Sequence, residues 1–268
     1  MNYEKALKSI RLRILQNQGS GVVGVFDSGV GGLTALPGLM ANGYKEIVYL
    51  GDTENFPYGE KDENTLSIIV LSRINDLIEQ GAERICIACN TASINFLKMD
   101  KSRILSDFVT CTLSCTAEFV SSKGNIKRIG LIGTKYTVLT NAYYEAINGI
   151  CVDKTKVLIQ SAEQELVKYI EEGRVDEQRY EVQRISRYFN SLNVDALILG
   201  CTHYSHVKEI FRNYLNGSIE IVDPSELLGV PACADRQIPK NVGTRQKSKL
   251  KITFTDKVPP FAKDYFSL

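Results

Sequence analysis

Short apolar runs recur along the chain: VVGVFD (22–27), EIVYLGD (46–52), RICIAC (84–89), RIGLIGT (128–134), KVLIQ (156–160), DALILGC (195–201) and IEIVD (219–223). Several are apolar at consecutive positions instead of alternating, which predicts strands covered on both faces. VTCTLSC (109–115) and KITFTD (251–256) are weaker candidates. Between the runs, apolar residues fall at helical spacing. In TLSIIVLSRINDLIEQG (65–81), Leu66, Ile69, Val70, Ile74, Leu77 and Ile78 share one face, and Gly81 can close the end. RYEVQRISRYFNSL (179–192) and HVKEIFRNYLNG (206–217) read likewise. Residues 1–20 carry Lys5, Lys8, Arg11 and Arg13 through an amphipathic pattern, read as a loosely attached helical extension. Strands alternating with helices predict an α/β fold with mostly parallel sheets.

The pattern also repeats. GVFDSG (24–29) leads to Cys89-Asn90-Thr91, and GLIGTK (130–135) leads, over a similar length, to Cys201-Thr202-His203. Two similar Rossmann-like α/β domains follow, each with a cysteine just past the carboxyl end of a strand, the edge where open α/β sheets collect ligands. The expected division is 21–113 with 224–268 as the first domain and 114–223 as the second. Facing each other, they would place Cys89 and Cys201 on opposite walls of one cleft.

Composition narrows the class. The 268 residues are 44% hydrophobic and 24% charged, with a net charge of +1. That describes a globular chain without the field that draws a protein to nucleic acid or a membrane surface. No stretch approaches the ~20 apolar residues of a membrane span, and the first residues lack the charge-then-apolar order of a secretory signal. Seven cysteines, an odd number, fit free thiols in a reducing compartment, so a cytoplasmic protein is expected.

Most free cysteines are small buried hydrophobes. ICIACNTAS (85–93) departs from that rule, because an apolar run delivers a thiol, an amide and a hydroxyl in succession. LILGCTHYS (197–205) does the same with Cys201, Thr202 and His203. Cys86 and Cys89 match C-x-x-C, but a redox motif should open a helix and this one reads as strand. Cys86, Cys89, Cys201 and His203 could make a zinc ligand set, yet Cys-x-His is an unusual spacing and a strand would turn Cys86 away. DSGVGGLT (27–34) offers Gly29, Gly31 and Gly32 for positive φ and close approach of a ligand; it is an anion cradle or a plain tight turn. Asp27, at a strand end, is more suggestive than the glycines. GDTENFPYGEK (51–61) follows a strand at the same edge and reads as a binding loop. No motif strand ends in a lysine that would announce pyridoxal chemistry.

Taken together and in this order, GVFDSGVGGLT, YLGDTENFPYG, ACNTAS, GLIGT and LGCTHY resemble the cofactor-independent glutamate racemases, over roughly 22–223. The resemblance implies two α/β domains with the active site between them, and supply of D-glutamate to peptidoglycan synthesis. It makes Cys89 and Cys201 the acid/base thiols, with Asp27 and His203 as their auxiliaries. Ser28, Tyr58, Gly59, Asn90, Thr91 and Thr202 would hold the carboxylates and ammonium of glutamate. Glu171, or its neighbour Glu172, matches a family glutamate near the site. No metal or cofactor is implied, and a homodimer is. Ser205-His206 stands where the family has proline, Pro224 follows Asp223 at the return to the first domain, and VTCTLSC lacks the family pattern. An aspartate-specific racemase, or a catalytically weak amino-acid-binding homologue, remains the alternative.

The implied chemistry suits the residues. Inverting Cα requires a base on one face and an acid on the other. A free thiol, with pKa ~8.5, is closer to neutrality than a carboxyl group.

Overall fold

The computed structural model describes residues 3–41, 44, 46–100, 102–151, 155–228 and 249–257. Among these residues nine strands form two parallel sheets: β1 (Val22–Asp27), β2 (Glu46–Gly51), β3 (Arg84–Ile87), β4 (Val109–Cys111), β5 (Arg128–Gly133), β6 (Val157–Ala162), β7 (Ala196–Gly200), β8 (Glu220–Val222) and β9 (Lys249–Phe254). The first sheet runs β4-β3-β1-β2-β9 and the second β6-β5-β7-β8. Every pairing is parallel. Read from opposite ends, β2-β1-β3-β4 and β6-β5-β7-β8 have the same order, so the sequence repeat is a topological repeat with β9 added at one edge. All residues of β1 and β7 are buried, as their unbroken apolar runs require.

The strand at 109–115 is shorter than its sequence suggests. Only Val109–Cys111 pairs, with Cys111 opposite Ile87. The chain then turns at Cys111 into the helix Thr112–Ser122, which buries Leu113, Cys115, Ala117 and Val120. The sequence placed a strand over residues that continue as the first turn of that helix.

The helix Glu63–Glu79 starts where Asp62 accepts hydrogen bonds from the N–H groups of Asn64 and Thr65, each at 3.0 Å. It stops at Gly81, whose φ of +90° puts it in the left-handed region that closes helices. There the Gly81 N–H bonds the Ile78 carbonyl and the Ala82 N–H that of Leu77.

The amino-terminal helix, Tyr3–Gln16, is docked and not loose. Leu7, Ile10 and Ile14 are buried along one face, in the core that also holds Ile74, Ile78 and Leu105. Asn17 donates to the Ile78 and Ala82 carbonyls at 2.8 and 3.0 Å. The amphipathic stripe predicted the helix; the apolar groove that receives it could not be read from residues 1–20 alone.

At the other end of the chain, β9 pairs with β2 from Glu46–Lys249 to Gly51–Phe254. Just beyond it, Thr255 donates to Asp52 at 2.9 Å. The rest of the expected return segment, 229–248 and 258–268, lies outside the described residues.

Candidate active site

The first sheet delivers its functional groups where β1 and β3 end side by side, Phe26 opposite Ile87. Asp27 closes β1, and Cys89 is the N-cap of the helix Asn90–Lys98. The C-x-x-C pair is thus split, with Cys86 in the strand core and Cys89 at a helix start. The sequence reading of the whole motif as strand is corrected here: β3 stops at Ile87. In the second sheet Gly133 of β5 lies opposite Gly200 of β7, with Thr134 and Cys201 next in the chain. Cys201 precedes a 3-10 turn, Thr202–Val207, that carries His203.

These two edges enclose one cleft. Ser28, Tyr58, Gly59, Cys89, Asn90 and Thr91 line it from the first half, and Cys201, Thr202 and His203 from the second. Phe56, Pro57, Thr134, Gln164 and Val167 complete the lining. Asp27 and Glu171 stand behind it. The free space is about 20 Å³, room for about one water.

On the first wall, the Cys89 thiol lies 3.5 Å from the Ser28 hydroxyl. Burial and the neighbouring Asp27 carboxylate push this thiol up to about 12, against a bond from the Ala92 N–H. Asp27 is fully buried and accepts from the Gly29 N–H at 3.0 Å and from the Thr202 hydroxyl at 3.1 Å. Burial raises its pKa, although His203 and these hydrogen bonds pull the other way.

On the second wall, Cys201 Sγ is 3.6 Å from His203 Nδ1, and His203 Nε2 is 2.5 Å from Glu171 Oε1. Burial disfavours the imidazolium, but hydrogen bonds to Cys201 and Glu171 outweigh it and hold the His203 pKa well above its ordinary value. Glu172 instead pairs with Arg174, so of the two neighbours it is Glu171 that reaches His203.

The glycines of DSGVGGLT serve a purpose other than the positive φ expected of them. None of Gly29, Gly31 and Gly32 adopts it. A Cβ on Gly31 would lie 2.4 Å from Thr202 Oγ1, and one on Gly32 would lie 2.6 Å from Asp27 Cβ. Without a side chain, Gly32 packs on Asp27 within the first wall, and Gly31 lets that wall meet Thr202 of the second. Gly59 likewise lets the first wall approach Thr134 of the second, where a Cβ would sit 3.2 Å from the threonine Cβ.

Tyr58 is buried, and its hydroxyl donates to Asp52 at 2.6 Å. Asn55 and Thr255 donate to the same carboxylate, fixing the loop. Its phenol is therefore committed, and the loop can meet a ligand through backbone N–H groups. Thr134 was missed in the sequence, although the repeat placed it where Ser28 stands in the first half. Its hydroxyl is 3.3 Å from that of Thr91 across the cleft and 3.0 Å from Thr137. Tyr143, whose hydroxyl bonds Asn90, had no sequence signal.

Two thiols on opposite walls, each with its own polar auxiliary, can take a proton from one side of a carbon centre and return one to the other. Across residues 39–228 the chain matches the Asp/Glu/Hydantoin racemase family, and it belongs to that family. It is an amino-acid racemase. The glutamate racemase of Desulforudis audaxviator is 36% identical over 217 residues, 76% of this chain and 75% of that relative. The crystal structure of a glutamate racemase isoform from Bacillus anthracis superposes with a TM-score of 0.79 at 26% identity, over 92% of this chain and 94% of that one. A Francisella tularensis glutamate racemase, solved in complex with D-glutamate, gives 0.73 at 27% identity over 91% and 92%. No helix among the described residues is long and apolar enough to cross a membrane.

Proposed function

We propose that the chain interconverts L- and D-glutamate, with Cys89 and Cys201 as the two acid/base groups and no cofactor. The observation that carries this reading is the shared cleft: both thiols line it, Cys89 beside Ser28 and Asp27, Cys201 beside the His203–Glu171 pair. The glutamate racemases similar to the chain support glutamate as substrate.

In one direction the thiolate of one cysteine removes the Cα proton, and the thiol of the other delivers its proton to the opposite face. In the other direction the roles exchange. His203 can hand its proton to the Cys201 sulfur or take it back, and Glu171 is a positioning residue that keeps the imidazole protonated and aimed. Asn90 and Thr91 begin a helix whose first N–H groups have no partners within it. With Ser28, Thr202 and the backbone of Tyr58 and Gly59, they would bind the carboxylates and stabilise the carbanion-like transition state by fixed donors. Since the free space is about 20 Å³, the walls must part to admit glutamate.

The reading extends to a cytoplasmic homodimer supplying D-glutamate for peptidoglycan, which sedimentation and complementation of a D-glutamate auxotroph would check. The central test is circular dichroism of L- or D-glutamate incubated with purified protein without pyridoxal phosphate. Each enantiomer should decay to the racemate, and in D₂O the product should carry deuterium at Cα. Racemisation of aspartate but not glutamate would reassign the substrate; binding of glutamate without turnover, with both thiols reduced, would sink the enzymatic reading.

A further inference from the structure

Tyr143 lies on the helix Ala142–Ile150, which follows β5 in the second half of the molecule. It is completely buried, does not line the cleft, and donates its hydroxyl proton to Asn90 Oδ1 of the first half. Asn90 is 2% exposed and does line the cleft, beside Cys89. Its Nδ2 is buried and has no hydrogen-bond partner among the described residues.

These facts together fix an orientation. The oxygen end of the amide is held by a phenol outside the cleft, so the nitrogen end is the one presented to it. A buried donor left unpaired is destabilising, and an acceptor brought by a ligand would offset that cost. Turned over, the same amide would present its oxygen, and an anionic ligand would meet repulsion. Oxygen and nitrogen ends are nearly equal in size, so packing alone cannot choose between them. The phenol can. Burial raises its pKa, against a hydrogen bond with Thr116 and with smaller contributions from Cys115, Cys201 and Asp223, and so keeps its proton in place.

We propose that Tyr143 is a positioning residue for substrate recognition, its hydroxyl locking the Asn90 amide so that Nδ2 donates to a carboxylate oxygen of the amino acid. The inference rests on the racemase reading above. It assigns Tyr143 to binding and not to proton transfer, since its hydroxyl bonds an amide and not a thiol.

The test is the racemisation kinetics of Tyr143→Phe, alone and combined with Asn90→Ala. Losing the hydroxyl, and with it the bond to Asn90, should raise the KM for glutamate about 5- to 10-fold, with kcat within about twofold and the pH profile unmoved. In the Asn90→Ala background the same change should move KM by less than about twofold, because no amide remains to orient. An unchanged KM in the single variant would overturn the proposal. So would a loss confined to kcat, or the same fold-change in both backgrounds, which would mark a structural role. Should Tyr143→Phe not fold, Tyr143→Met also lacks the hydroxyl and carries the same expectations. If the unaltered protein does not racemise glutamate, the function itself fails; if it does and KM stays put, only the role of Tyr143 falls.

Discussion

Cys89 and Cys201 leave equivalent strands, β3 and β7, at equivalent edges of sheets with the same strand order. Their neighbours differ in kind. Cys89 faces a hydroxyl at 3.5 Å and the negative charge of Asp27, and its thiol is pushed up to about 12. Cys201 faces an imidazole at 3.6 Å whose far nitrogen meets Glu171. One wall is built to keep a proton on sulfur, while the other has a basic ring on which to store one. The shared strand order supplies the frame, and the residues after each strand make the two walls unequal. For a reaction that must begin with one thiol charged and the other neutral, that inequality sets where the resting proton lies.

Replacing either cysteine breaks the comparison outright. Cys89→Ser or Cys201→Ser should lower kcat/KM by about 10³-fold or more, in keeping with the 10²–10⁴ that a positioned acid or base contributes. Because enantiomers have equal free energy, each variant must lose the same factor from L to D as from D to L. Circular dichroism started from each enantiomer measures both. A variant retaining a tenth of the activity would make that thiol structural.

Damage to the auxiliaries should separate the walls. His203→Asn removes the proton store beside Cys201 and should cost about 10²-fold. Glu171→Gln leaves the ring but removes one of the two partners that raise its pKa. The imidazole should then lose its proton at lower pH, moving the corresponding limb of the kcat/KM profile down, with about a tenfold loss at neutrality. Asp27→Asn acts on the other wall and through charge. The carboxylate, after burial, is what holds the Cys89 thiol high, so its removal should let that pKa fall. The Cys89 limb should shift to lower pH, with an activity change of about threefold. If Asp27→Asn and Glu171→Gln moved the same limb, the walls would not be separately tuned.

The outline of this site was legible in the sequence because polar triads interrupt apolar runs. Cys89-Asn90-Thr91 and Cys201-Thr202-His203 have no place in a buried strand; the first opens an α-helix and the second a 3-10 turn, each at a sheet edge. The inner strands β1 and β7 were legible for the opposite reason, since burial on both faces leaves them almost continuously apolar. What stayed hidden depends on pairing at a distance. Tyr143 reads as an ordinary aromatic on an amphipathic helix, and nothing near it announces Asn90. The Tyr58 hydroxyl could not be known to be occupied by Asp52, nor Gly31 to be facing Thr202. At 109–115 the ambiguity is local: three residues pair as strand before the chain starts the helix Thr112–Ser122.

The smallest effect on activity should come from the residues that depart from the family pattern. Ser205 donates to Asp223 at 2.9 Å, and Asp223 also accepts from the Ser225 N–H at 3.0 Å, capping the helix that begins with Pro224. The two departures are therefore bonded to each other: the hydroxyl gained at Ser205 reaches the turn where Pro224 sits. Lys208 closes the group, 3.8 Å from Asp223 and 2.6 Å from Glu226. This cluster ties the turn carrying His203 to the chain's return toward the first sheet, but Ser205 does not line the cleft. Ser205→Ala should cost about 1.5–3 kcal/mol, the range for a hydrogen bond to a charged group, read from urea unfolding, while kcat stays within about twofold. A large loss of kcat at unchanged stability would mean that the cluster sets the geometry of the Cys201 wall, and the two walls would then differ in their support as well as in their charge.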